Sequence, residues 1–168
     1  MKKLLCLILV LLSALCLFSS CKDNDHELDI TKTGTKIYIL RKDDDGRMYF
    51  DYEYVILKSE SREDRAREML EMLKNPGMDG AYITVPEYIN FENITVKGST
   101  LIIDLSENYK YLKPKEKTIA TVSICKTLLS DGETRYISIK CQGEPQAPLY
   151  EGYVNNHTVL LEDRLYME

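Results

Sequence analysis

Cys21 is the residue whose surroundings point most directly to a chemical event. Lys2 and Lys3 open the chain, an apolar run follows from Leu4 to Phe18, and Ser19 and Ser20 stand directly before the cysteine. Those are the charged, apolar and small-residue parts of a secretory signal. Leu17-Phe18-Ser19-Ser20-Cys21 is similar to a bacterial lipobox, with Phe18 where that motif usually carries Leu, Val or Ile. The expectation is cleavage before Cys21 and attachment of lipid to its sulfur. Cys16 follows the bulky Leu15 and Cys6 lies inside the apolar run, so neither competes. The run is also shorter than the ~20 residues of a spanning helix and lacks a basic stop-transfer flank.

Other residues with chemical potential are scattered. His26 and His157 are the two side chains suited to base catalysis at neutral pH, but His26 has no second ligand at chelating spacing and His157 sits in the turn-like Asn155-Asn156-His157-Thr158. Asp43-Asp44-Asp45-Gly46 has the look of a calcium loop. With Gly46 at the loop's glycine, however, Arg41 and Tyr52 occupy the positions that need acids, so a hairpin turn is expected instead. Asp51 with Glu53, and Asp104 with Glu107, are the acid pairs that a glycan hydrolase would use. The chain has no Gly-rich phosphate loop, Cys-x-x-Cys pair or nucleophile elbow. No catalytic, cofactor-binding or metal-ligating residue is therefore expected, and the chain reads as a non-enzyme.

Tyr49, Tyr52 and Tyr54 form the most unusual aromatic series, expected on a sheet face covered by helices. Cys125 and Cys141 are expected to remain unbridged. Four helix residues (~6 Å) separate Cys125 from the turn that ends its helix and six strand residues (~20 Å) separate Cys141 from that same turn, so antiparallel packing leaves them more than about 10 Å apart, beyond the ~7 Å a disulfide spans.

Removing residues 1–20 takes away two lysines and no acids, so the formal charge moves from -5 to -7. An acidic chain is a poor partner for nucleic acid, and lipid on Cys21 has to supply the hold on the membrane. Residues 21–35 are polar and without period, a lipidated tether with a reach of about 20 Å. The remainder is the size of one domain.

The elements that must position these residues can be read from pattern. Ile37 to Leu40 and Tyr49 to Lys58 are strands around the Asp-Gly turn. Ser61 to Lys74 is a helix, capped by Ser61 with Asp64, whose Ala66, Met69, Leu70 and Leu73 face the core; Asn75-Pro76-Gly77 ends it. Ile94 to Val96 and Leu101 to Leu105 form a hairpin. With Gly98-Ser99 as its loop, Val96 faces Leu101, Thr95 faces Ile102 and Ile94 faces Ile103. A second helix runs from Lys115 to Leu129 after Pro114, with Ile119, Val122, Cys125 and Leu129 available for the core. Tyr136 to Cys141 is a strand, and Tyr150 to Leu161 suggests a terminal hairpin. The order β β α β β α β implies an α+β fold, a mainly antiparallel sheet with two helices packed on one face.

In that order, Met69-Leu70-Glu71-Met72-Leu73-Lys74-Asn75-Pro76, Val85-Pro86, Ile102-Ile103-Asp104-Leu105-Ser106, Tyr109, and Tyr136 through Pro145 are landmarks. From residue 36 to 163 the chain resembles the GerMN domain of sporulation and spore-germination proteins. The resemblance implies a non-catalytic interaction or scaffold domain at the extracytoplasmic face of the cell membrane, with envelope or sporulation proteins as partners. Its similarity to ring-building domains of envelope channels also implies self-association. The alternatives are a lipoprotein that binds envelope glycan or a solute, and a peptidoglycan hydrolase.

Overall fold

The computed structural model describes residues 34–146 and the short strands at 153–155 and 166–167. Cys21, His26, His157 and the sequence on either side of 153–155 that was expected to complete a terminal hairpin lie outside the described residues. The elements are β1 (Thr35–Lys42), β2 (Met48–Val55), α1 (Arg62–Lys74), β3 (Phe91–Lys97), β4 (Thr100–Leu105), a 3-10 turn (Glu107–Tyr111), α2 (Pro114–Leu129), β5 (Tyr136–Cys141), β6 (Glu144–Pro145), β7 (Tyr153–Asn155) and β8 (Tyr166–Met167). The α+β class and the β β α β β α β order are those expected. The strands divide into two sheets, β1-β2-β8 and β3-β4-β5-β6, with β7 also on β5.

The Asp-rich segment is the turn that joins β1 to β2. Asp43 accepts the Arg47 N–H at 2.8 Å, its own N–H bonds the Arg47 carbonyl at 3.0 Å, and Gly46 takes a φ of 82° that favours glycine. The Arg47 amide holds the Asp43 carboxyl below the usual carboxylate range. Ile37 and Ile39 point to the helices and belong to the main core, while Tyr38 and Leu40 point the other way.

The outer edge of β1 is closed by α2 and a loop. Thr127 Oγ1 accepts the Tyr38 N–H at 2.9 Å, Ser130 Oγ donates to the Lys36 carbonyl at 2.7 Å, and the Tyr82 N–H reaches the Leu40 carbonyl at 2.9 Å. An open row of peptide groups is thus satisfied without another strand.

The β3–β4 hairpin has the expected register: Val96 opposite Leu101, Thr95 opposite Ile102, Ile94 opposite Ile103. The two strands bury Ile94, Leu101, Ile103 and Leu105 on one side. β5 then joins β4 in parallel, so this sheet is mixed. A parallel neighbour needs a long crossover, and α2 supplies it. The β5–β6 turn is Gln142-Gly143, with φ of 53° and 79°, the pair of positive values that a type I′ hairpin requires. β7 pairs antiparallel with Tyr136–Ser138 of β5, the partner its three residues take.

α1 buries Ala66, Met69, Leu70 and Leu73, as its spacing predicts, and Ser61 caps it by accepting the Asp64 N–H. α2 differs from expectation. Ala120, Ile124, Cys125 and Leu128 are its core residues, while Ile119, Val122 and Leu129 are only half-buried. The reason is crowding: α2 packs against α1, β1 and β5, so Thr121, Ser123, Lys126 and Thr127 are buried too. A helix enclosed on several sides has no single apolar stripe from which its orientation can be read.

The two helices run oppositely between two poles. At the proximal pole lie the start of β1, the end of α2, the start of α1 and the β3–β4 turn. They are tied by Ser130 to Lys36, by Arg62 to the Gly98 carbonyl at 2.6 Å, and by the Arg135 N–H to the Ser99 carbonyl at 2.8 Å. At the distal pole lie the end of β1, the end of α1, the loop before β3 and the 3-10 turn. There the Val85 N–H bonds the Leu73 carbonyl at 3.3 Å and Asn108 Nδ2 donates to the Tyr88 carbonyl at 3.1 Å.

Candidate functional site

The helices cover one face of the mixed sheet. Alternation sends Asn93, Thr95 and Lys97 of β3, Thr100, Ile102 and Asp104 of β4, and Tyr136, Ser138 and Lys140 of β5 to the opposite face. Across it runs an open groove of about 180 Å³ lined by Asn93, Thr95, Lys97, Ile102, Asp104, Lys140 and Gly143. The register sets its layout: Asn93, Asp104 and Lys140 share one row, Thr95 and Ile102 sit in the middle, and Lys97 lies in the row of Thr100 and Tyr136.

Both Asp104 oxygens accept the Gly143 N–H at 3.0 Å, which pins the β5–β6 turn over the end of β4. Asn93 Nδ2 donates to Thr95 Oγ1 at 3.3 Å, which leaves the threonine hydroxyl its own proton to donate. Neither the Lys97 nor the Lys140 ammonium has an ion-pair partner among the described residues. Ile102 is a half-buried apolar floor, and Tyr136 is 45% exposed at the Lys97 end. The groove can therefore bind a polar ligand, while no group in it is arranged as nucleophile and base.

The acids considered for hydrolysis serve other ends. Asp51 and Glu53 stand on the same face of β2, and both bind Arg41, whose Nε lies 3.3 Å from Asp51 Oδ2 and whose second amino group bonds Glu53. The same guanidinium donates to the Asp79 carbonyl at 2.5 Å, fastening the loop after α1 to the first sheet. Asp104 turns to Gly143, while Glu107 accepts from the Tyr111 hydroxyl at 3.4 Å, so these two do not act as a pair.

The tyrosine series is split by the pleat. Tyr52 and Tyr54 share a face with Tyr38, whereas Tyr49 stands on the other, opposite Arg41. The Tyr52 ring lies 5.6 Å from Tyr38 and 5.5 Å from Tyr54, with Lys36 Nζ 3.9 Å above it. This is the face turned away from Ile37 and Ile39, so among the described residues Tyr52 and Tyr54 lie off the helix-packed core and not under helices as expected; they meet edge to face, with the Lys36 ammonium over Tyr52.

Cys125 and Cys141 are free and buried. Burial pushes the thiol pKa of each up, which favours the unreactive protonated form. Cys141 Sγ donates to the Ser106 carbonyl at 3.2 Å.

Residues 36–147 match the family described as Germane: sporulation and spore germination. The chain belongs to the Germane family. Two solved structures share the fold. The first GerMN domain of the sporulation protein GerM from Bacillus subtilis is 19% identical, with a TM-score of 0.57, 73% of this chain covered and 94% of that one. The tandem GerMN domains of the same protein give 17% identity and a TM-score of 0.51, with 73% and 45% covered. No curated protein matches the sequence.

The Germane landmarks have physical roles in this chain. Met69, Leu70 and Leu73 fill the core, and the Leu73 carbonyl receives the N–H groups of Thr84 and Val85. Tyr109 is fully buried, its hydroxyl 2.6 Å from Thr121 Oγ1. Ser106 locks the approach to β3 to the end of β4: its Oγ accepts the Asn90 N–H at 3.0 Å and its N–H bonds the Asn90 carbonyl at 2.9 Å. These residues build the domain, and four of the seven that line the groove on the outer face, Ile102, Asp104, Lys140 and Gly143, are landmarks as well.

Proposed function

We propose that this Germane-family chain is a lipid-anchored extracytoplasmic protein whose domain works as a non-catalytic interaction or scaffold module in sporulation or spore germination. The observation that carries the reading is the molecule's polarity. The tether runs into β1 at the proximal pole, and four of the six exposed large apolar side chains among the described residues lie in the loop before β3 and the 3-10 turn at the distal pole: Tyr82, Ile83, Tyr88 and Tyr111 at 46%, 53%, 56% and 75% exposure, against Ile56 and Tyr136 near the other end. A domain held from one end presents the other to neighbours, and exposed tyrosines are the side chains that protein interfaces favour. The occupant is an envelope protein of the spore-forming machinery.

The engagement of Asp51, Glu53, Asp104 and Glu107 in the bonds described above supports a role without turnover. The full chain with Tyr88→Ser and Tyr111→Ser together is expected to stay folded and in the membrane fraction, to lose its partner in a pull-down from membranes of the native organism, and to fail in spore formation or germination. Loss of a peptidoglycan-cleaving activity on Glu53→Gln or Asp104→Asn, in a folded protein, would overturn the scaffold reading in favour of a hydrolase.

A further inference from the structure

We propose that the open face of the mixed sheet is a saccharide-binding site selective for sugars that carry a carboxylate. A parallel strand pair ordinarily has both faces covered, because its side chains are apolar on both sides. Here the outer face is grooved and polar over β3, β4 and the end of β5, with Ser138 buried in mid-strand and Ile102 alone as apolar floor among the lining residues.

The kind of ligand follows from what the face offers. The peptide groups of β4 are taken up on both sides by β3 and β5, so the ligand must be held by side chains. Those present are an amide (Asn93), a hydroxyl (Thr95), a carboxylate with lone pairs left after Gly143 (Asp104) and two ammonium groups. That mixture of donors and acceptors suits a hydroxyl-dense molecule, while Ile102 and the exposed Tyr136 give a sugar ring apolar surface to lie on. An extended peptide would instead seek unpaired peptide groups at a sheet edge.

Charge narrows the class. The protein is acidic overall, yet the residues lining the groove carry two lysines, Lys97 and Lys140, against one acid, Asp104, and neither lysine has an ion-pair partner among the described residues. Two strand spacings and four residues separate the lysines, so their Cα atoms are roughly 16 Å apart at opposite corners. With flexible stems leaning inward, the ammonium groups bracket a ligand of one or two rings and favour one bearing an anion.

The site is independent of the distal aromatic pole, so its failure would leave the scaffold reading standing. The test is an amide NMR titration of the full chain in detergent micelles with three probes: a β-1,4-linked N-acetylated disaccharide bearing a carboxylate, its neutral counterpart, and an acidic peptide of equal charge. The carboxylated sugar is expected to shift the amides of Thr95, Ile102 and Lys140, and the neutral one to bind about tenfold more weakly. Lys97→Gln and Lys140→Gln, both surface changes, should each remove most of that preference without altering the thermal unfolding curve. Three results would overturn the proposal: no shift with the carboxylated sugar up to about 10 mM, shifts that map away from this face, or shifts here with the peptide and none with the sugar.

Discussion

Tyr109 shows how a single side chain ties Germane architecture to a measurable property. Its hydroxyl is buried against Thr121, and burial raises its pKa from 10.0 to about 12. The unfolded chain therefore releases this proton at lower pH than the folded one, and the stability linked to it is complete below pH 10 and lost as pH rises toward 12. Urea midpoints should fall over that window. Tyr109→Phe should unfold more easily at neutral pH, by about 1 kcal/mol for the lost hydrogen bond, yet show a shallower alkaline decline than the native chain. Parallel pH profiles would refute the assignment. Arg65 is a second lesson at this scale. It has the look of a surface charge, but its guanidinium donates to the Glu60 carbonyl at 2.7 Å and pairs with Glu133 at 2.9 Å, so it is part of the proximal clamp. Glu71 on the same helix is exposed and paired with Lys74 at 3.4 Å.

At the scale of elements, the β5–β6 turn combines local strain with a place beside the candidate site. Gln142 is the described non-glycine residue with positive φ, 53°, in a turn where Asn-Gly is the favoured pair. A left-handed conformation costs an ordinary residue about 1–2 kcal/mol. Gln142→Asn should therefore stabilise the domain by up to about 1 kcal/mol, read as a higher urea midpoint with unchanged slope. An unchanged or lower midpoint would mean that the glutamine side chain is contributing something the turn geometry does not account for. The helices act as struts of definite length: α1 of 13 residues and α2 of 16 span roughly 20 and 24 Å, and so separate the two poles.

For the molecule as a whole, anchoring and orientation are coupled. Lipid on Cys21 and a tether of about 20 Å reach would leave the proximal pole facing the membrane and the distal tyrosines facing away. Cys21→Ala should give an uncleaved precursor or a released protein in fractionation. A processed form of unchanged mass that stays in the membrane fraction would remove the lipid anchor and, with it, the reason for the proposed orientation.

Local chemistry was legible in the sequence wherever neighbours in the chain decide the outcome. The Asp-Gly turn, the Ser61 cap, the four apolar positions of α1 and the Gly98-Ser99 hairpin register rest on short spacings that the fold preserves, and the Germane family resemblance on the order of landmarks along the domain. Tertiary structure alone decided three things. The division into two sheets, with β5 parallel to β4, depends on where α2 carries the chain, which no strand pattern encodes. The inward face of α2 depends on its being enclosed by α1, β1 and β5, a burden shared among apolar and small polar residues alike. The groove on the outer face unites Asn93, Thr95, Asp104 and Lys140 from three strands. Each taken singly is an ordinary surface residue, and only strand pairing at about 4.8 Å brings them into reach of one ligand.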